Sequence, residues 1–309
     1  MRGGLAVLIL VLFTGCSSSG SGTDNVAAGT AKVEESTLSA GYSNKDVQST
    51  QNTSVQDTKP KEIPPEDDSR EEVVPQKAPK CEGISRGVNL GNALEAPQEG
   101  AWGVVLKEGY FDKSKDAGFD FVRIPVRWSG HASLEAPYDI AANFLKRVDW
   151  AVEQTLSRGL VAILDMHGYD EFMQDPKGEE MRFIGLWKQL SKHYAGYSDK
   201  LYFELLNEPT NNVPGDVWND CIREALKIIR TTNPDRYVVV GPVSWNGIQQ
   251  LYSLSLPEKD KKILVTYHYY SPMEFTHQGA EWVQGSDSWM GTAWTGTAAE
   301  KAAVRSDFD

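Results

Sequence analysis

Six short apolar runs alternate with amphipathic helical stretches through residues 81–309, and this alternation restricts the fold more than any other feature of the chain. The runs fall at 84–90, 119–124, 160–166, 201–206, 236–240 and 263–269. Helical periodicity occupies 105–117, 139–158, 179–194 and 214–231, with a weaker helix near 248–254 and another starting near Thr297. Gly159 stands just past the second helix, where a C-terminal stop is expected. Strands separated by helices of this size imply βαβ units and a parallel sheet. Most runs are continuously apolar, as expected of strands buried on both faces. The expected fold is a (β/α)8 TIM barrel. Only about six β/α units are present, so the barrel is expected to be incomplete at its C-terminal side.

The N-terminal quarter reads differently. Arg2 and the apolar run 5–13 form an export signal too short to span a bilayer. It ends at Phe13-Thr14-Gly15-Cys16, which resembles a bacterial lipoprotein cleavage box with Cys16 as the lipidated residue. That resemblance implies an exported protein anchored to the outer membrane or cell surface. Residues 17–80 contain a single aromatic, Tyr42, and cannot bury enough apolar surface to offset their ordering entropy. Five prolines between 60 and 79 keep this tether extended, and as a flexible coil it would span roughly 45 Å. The expected organisation is therefore a signal at 1–16, a tether at 17–80 and a barrel domain at 81–309.

Charge narrows the partners. The tether carries 7 basic against 11 acidic residues and Arg2 adds one positive charge, so 9 of the 12 net negative charges fall on residues 81–309. An acidic domain without a basic cluster is a poor nucleic-acid binder and suits a neutral polymer. No spacing of Cys and His suggests a metal site, and no cofactor motif is present. Cys81 and Cys221 are able to pair in an oxidising compartment. Cys221, however, lies near the apolar stripe of a helix and reads as a buried thiol.

Polar groups end four of the six runs. They are Arg123 in Val122-Arg123-Ile124-Pro125, His167 after Asp165-Met166, Asn207-Glu208 before Pro209, and His268 before Tyr269-Tyr270. In a barrel such ends converge on one rim, where the chemistry of this architecture resides. Asn207-Glu208 places an acid at the mouth of a buried strand, and glycosidic cleavage uses such an acid with a second carboxyl group. Glu95, Asp165, Asp170 and Glu171 are the other carboxylates near the rim. Asp165, one layer deeper, reads as structural. Six tryptophans fall in or beside loops after strands, and Trp245 and Trp282 are the expected sugar-stacking platforms.

These stretches, with Gly87-Val88-Asn89-Leu90-Gly91-Asn92-Ala93-Leu94-Glu95-Ala96-Pro97 and Phe275-Thr276-His277-Gln278-Gly279-Ala280-Glu281-Trp282, resemble glycoside hydrolase family 5, and within it the bacterial endo-β-1,4-glucanases. The resemblance implies a retaining enzyme acting on β-1,4-linked polysaccharide. Glu208 would be the general acid/base and Asn207 would bond the sugar 2-hydroxyl. His167 and His268 would position the sugar and Glu208, and Arg123 and Tyr270 would hold the nucleophile. Asn92, Glu95 and Trp282 would line the groove. A partly desolvated strand end is expected to raise the acid's pKa. The family nucleophile belongs to a seventh strand, which this chain does not contain. His167-Gly168 replaces a His-His pair of close relatives, which leaves β-mannanase or mixed activity as an alternative. A non-catalytic carbohydrate-binding lipoprotein is the other.

Overall fold

The computed structural model describes residues 7–10, 84–210 and 212–308. The cleavage box at Cys16, the tether and Cys81 lie outside the described residues. Six parallel strands follow one another in sequence order and pair with their chain neighbours. They are β2 (Gly87–Asn89), β3 (Phe121–Val126), β4 (Val161–Met166), β5 (Leu201–Glu204), β6 (Val238–Val240) and β7 (Ile263–His268). Every residue of β3 to β7 is buried, because helices cover one face and barrel side chains fill the other. The architecture is that of a partial (β/α)8 barrel.

Each of the four helical stretches contains a long helix: α1 (Glu108–Asp116), α2 (Ala142–Ser157), α4 (Glu180–His193) and α5 (Gly215–Thr232), with a short α3 (Asp170–Gln174) between α2 and α4. Helix α5 buries Val217, Trp218, Cys221, Ile222, Ala225, Leu226 and Ile229, a stripe three and four residues apart. Cys221 is free and buried within it. Gly159 follows α2 at φ 73° and its N–H bonds the Leu156 carbonyl at 2.9 Å, which closes the helix end.

Two helices start later than their periodicity implies. Ahead of α1, the Glu99 carboxylate accepts the Leu106 N–H at 2.8 Å and is gripped by Arg147, which holds Lys107 extended. Ahead of α2, Ile140 bridges Ala132 and Ala141 bonds the His131 carbonyl, so the helix waits until Ala142. Strand β3 also runs past its expected end, through Pro125 to Val126. The Leu90 N–H bonds the Arg123 carbonyl. By alternation Pro125 faces the same side two residues on, where β2 has already ended. Its missing N–H therefore costs no ladder bond.

The apolar run read as an export signal contributes an extended segment, β1 (Val7–Leu10), which lies parallel to β7 with Val7 opposite Val265 and Leu10 opposite His268. An open barrel edge presents a row of unpaired N–H and C=O groups, and a run of Val, Leu and Ile is well suited to pair with it. No helix among the described residues is long and apolar enough to cross a membrane.

Arg236, buried between strands, donates to the carbonyls of Tyr194, Tyr197, Ser198 and Leu201 and to the Asn233 side chain. It thereby ties the end of α4 to the start of β5. Arg236→Met is expected to strand these acceptors and lower unfolding free energy by about 2–3 kcal/mol. Urea denaturation checks this, and an unchanged midpoint would show that Arg236 is dispensable.

Candidate active site

Strand register builds the site from below. Asn89 pairs with Arg123 across β2–β3, and Asp165 pairs with Glu204 across β4–β5. The polar ends of four strands thus meet at one level of the barrel. Arg123, with no exposure, is the centre of this layer. Its Nε and Nη2 donate to the two oxygens of Glu204 at 2.7 and 2.8 Å. Nη2 also donates to Asn207 Oδ1 at 2.9 Å and lies 2.9 Å from Asp165 Oδ2, while Nη1 donates to Asn89 Oδ1 at 3.1 Å. Asp165 Oδ2 in turn meets His167 Nδ1 at 2.6 Å. Burial opposes the charge of Arg123, but Asp165 and Glu204 more than offset it and hold the guanidinium protonated. Glu204 is pushed up, by burial first and by Asp165's charge, and Arg123's attraction only partly offsets this. Breaking such a buried pair from one side costs about 3–5 kcal/mol.

Glu208 sits above this layer, just past β5, with φ 47°. That left-handed turn redirects the side chain out of the strand's alternation. Its side chain is 27% exposed, so the carboxyl is reachable from outside. Glu208 Oε1 lies 2.6 Å from His268 Nδ1, and the other ring nitrogen lies 3.3 Å from Asn246 Nδ2. His268 thus stands between Asn246 and Glu208, with one ring nitrogen toward each. Burial pushes the Glu208 carboxyl up. The hydrogen bond and charge of His268, helped by His167 and Arg123, outweigh burial and hold it below the ordinary carboxylate range. This corrects the expectation of a raised pKa: desolvation is the largest single influence, but His268, His167 and Arg123 together outweigh it.

Asn246 is reached through an unusual turn. Ser244, Trp245 and Asn246 are consecutive residues with φ of 58°, 57° and 56°. Such conformations cost about 1 kcal/mol or more each outside glycine. Gly241 makes the turn possible by room rather than flexibility, since a Cβ there would stand 2.3 Å from Asn246 Oδ1.

A cavity of about 420 Å³ opens over these groups. On one side it is lined by loops after β2 to β4: Asn92, Glu95, Trp102, Arg127, His167 and Asp170. On the other stand Asn207, Glu208 and Tyr270, with Arg123 at the floor. Burial first, then the charge of Glu208, pushes the Tyr270 hydroxyl up, so it is a neutral donor. Glu95 turns inward. Its oxygens accept the N–H groups of Asn92 and Ala93, fixing Asn92 at φ 64°. His268 stands behind Glu208, 6% exposed.

Arg123 pairs with Glu204 and Asp165 in the described structure. Two expectations need correcting. Trp245 and Trp282 are exposed but do not line the cavity, whereas Trp102 does. Asp170 and Glu171 begin α3 rather than lying on an open loop. Glu204, Arg127 and Asn246 were missed. Glu204 had a visible signal, an acid inside an apolar run, while Asn246 had none, because its partner is 22 residues away. No group of three or more His, Cys, Asp or Glu among the described residues is arranged to hold a metal ion.

A partial (β/α) barrel carrying a partnered carboxylic acid at its rim, in a cleft edged by tryptophan, is the arrangement of a carbohydrate-active barrel enzyme. The chain belongs to the cellulase family, glycosyl hydrolase family 5, whose sequence profile matches residues 81–305. Endoglucanase H of Acetivibrio thermocellus is 43% identical over 195 residues, which cover 63% of this chain and 22% of that protein. Cellulase/esterase CelE of the same organism is 30% identical over 246 residues, covering 73% and 29%. The chain thus spans less than a third of the length of these curated relatives. Thermotoga maritima Cel5A, solved with mannotriose, superimposes with a TM-score of 0.70 at 46% identity over 73% of each chain. The same enzyme solved with cellobiose gives 0.70 at 47% identity over 73% of each chain.

His268→Ala is expected to let burial dominate and move the Glu208 carboxyl upward. Carbon-13 NMR titration of the labelled carboxyl measures this, and an unmoved titration would show that the imidazole does not hold the charge. The linked stability has a definite sign. A carboxyl depressed on folding stabilises above the ordinary Glu range, and that stability is lost as pH falls through the lowered value. The stability gap between the original protein and this variant should therefore shrink on acidification.

Proposed function

We propose that the protein is a retaining endo-β-1,4-glucanase with Glu208 as its general acid/base. The observation that carries this reading is the Glu208 carboxyl, open to the cavity and hydrogen-bonded at 2.6 Å to a buried His268. Asn207, fixed by Arg123, meets the hydroxyl of the sugar being cleaved. His167, fixed by Asp165, meets the same ring.

Retention requires a second carboxyl group about 5–5.5 Å from the first. The cavity's own carboxylates are occupied: Glu95 closes its loop and Asp170 pairs with Arg127. Asp165 and Glu204 are sealed beneath with Arg123. We assign the nucleophile to a carboxylate outside this set, facing Arg123 and Tyr270. Its negative charge would raise Glu208 toward the range a general acid needs.

Glu208→Gln is expected to lower hydrolysis of soluble cellulose derivatives by a factor of about 100–10,000, while the original protein lowers their viscosity faster than it releases reducing ends. Retention of most activity by the variant would sink the assignment. A β-mannanase or mixed glucanase/mannanase is the second reading, favoured by the mannotriose complex of the Thermotoga relative. Initial rates on glucan and mannan separate the two.

The proposed setting is a lipid-anchored exported protein, with Cys16 lipidated and residues 17–80 as the tether. Processing before Cys16 would remove β1, so the reading requires the barrel to hold its β7 edge without it. Radiolabelled palmitate should enter the original protein and not Cys16→Ala. Equal labelling of both, or of neither, would contradict the anchor.

A further inference from the structure

We propose that Trp102, Arg127 and Asp170 form a separate sugar-binding subsite on the wall of the cavity away from Glu208, taking a neutral β-linked hexosyl ring by an aromatic face and a vicinal hydroxyl pair. The inference rests on the glycan-hydrolysing reading above and extends it to how the chain of sugars is held.

Position is the first argument. Trp102 lies in the loop after β2, Arg127 follows the last residue of β3 and Asp170 follows β4, while Glu208 and Tyr270 follow β5 and β7. Because the strands run in sequence order around the barrel, these loops occupy one side of the mouth and the acid occupies the other. All three residues line the same cavity.

Bonding state is the second. The cavity's other charged side chains are already committed: Arg123 to Glu204 and Asp165, Glu95 to its own loop, Glu208 to His268. Arg127 Nη2 meets Asp170 Oδ2 at 3.0 Å, with the side chains 22% and 65% exposed. Arg127 Nε–H is buried with no acceptor among the described residues. An orphaned donor of this kind costs about 1–3 kcal/mol, so a small rotation that gives it an acceptor is favourable. Gly168 leaves the space for that rotation, since even a Cβ there would only touch the Arg127 methylenes at 3.6 Å.

Chemistry selects the ligand. A guanidinium and a carboxylate fixed side by side offer donors beside acceptors. One sugar hydroxyl oxygen accepts from Arg127, and its neighbour donates to Asp170. A free anion would have to displace Asp170, in a domain that is acidic overall. Trp102, half exposed, supplies the flat face on which the apolar side of a pyranose rests.

The test is calorimetric titration of cellobiose, cellotriose, cellotetraose and cellopentaose into the full chain carrying Glu208→Gln, with and without Arg127→Ala or Asp170→Asn. The affinity gained when the oligosaccharide first reaches this wall should fall about tenfold in either variant, the worth of one charge-assisted hydrogen bond, and shorter ligands should bind unchanged. In the chain with Glu208 intact, KM for long substrates should rise with kcat unchanged. Unchanged affinity at every length would overturn the subsite and leave the glucanase reading standing. An equal loss at every length would also overturn it, since the pair would then act on the fold or on the cleaved ring. If the original protein neither binds nor cuts any of these sugars, the functional reading fails and the subsite fails with it.

Discussion

The site depends on one buried cation. Arg123 is inserted into a strand that is otherwise apolar, and nothing but its partners makes that position tolerable. Glu204, Asp165, Asn89 and Asn207 come from different points of the barrel, and the guanidinium bonds or pairs with all four. The strand register is thereby locked at the level where chemistry occurs. A slip of one residue would turn Arg123 and Glu204 toward the helical shell. The charge that holds the barrel mouth together also orients Asn207 and, through Asp165, His167.

Glu208 is arranged on top of this frame by strain and hydrogen bonding. Its own backbone is left-handed, and the residue that steadies His268 from behind, Asn246, sits at the end of three successive left-handed residues. Departures from low-energy backbone concentrate here, above a buried, ion-paired layer. That is where strain is retained when it holds a functional group in place. The result is an acid held below the ordinary carboxylate range against burial, by His268 with His167 and Arg123.

Much of this was legible in the sequence, for identifiable reasons. The strand and helix positions follow from the period of apolar residues, which packing enforces and does not alter. The ends of α1 and α2 were misplaced because Glu99 and a bridge at Ala132–Ile140 hold the chain extended, and neither long-range contact leaves a local mark. The clustering of Glu208, Asn207, Arg123, His167 and Tyr270 around one cavity was legible because each is a polar group in or just past a strand, and strand ends of a barrel converge. Trp245 and Trp282 were overvalued and Trp102 undervalued. Exposure in a loop after a strand is visible in sequence, but the direction that loop takes is not. Arg127 was hidden for a similar reason: its role depends on Asp170 and Gly168, more than 40 residues away.

In the proposed reaction Glu208 protonates the leaving group and later deprotonates water across a covalent intermediate. Azide rescue tests this most directly. With Glu208→Ala and an aryl β-cellobioside whose leaving group needs no acid, the intermediate should form and wait. Azide should then release it, restoring turnover and yielding the β-glycosyl azide. Rescue giving the α-glycosyl azide would make Glu208 the nucleophile, and no rescue at all, with full activity of the variant on the natural polymer, would remove it from the chemistry.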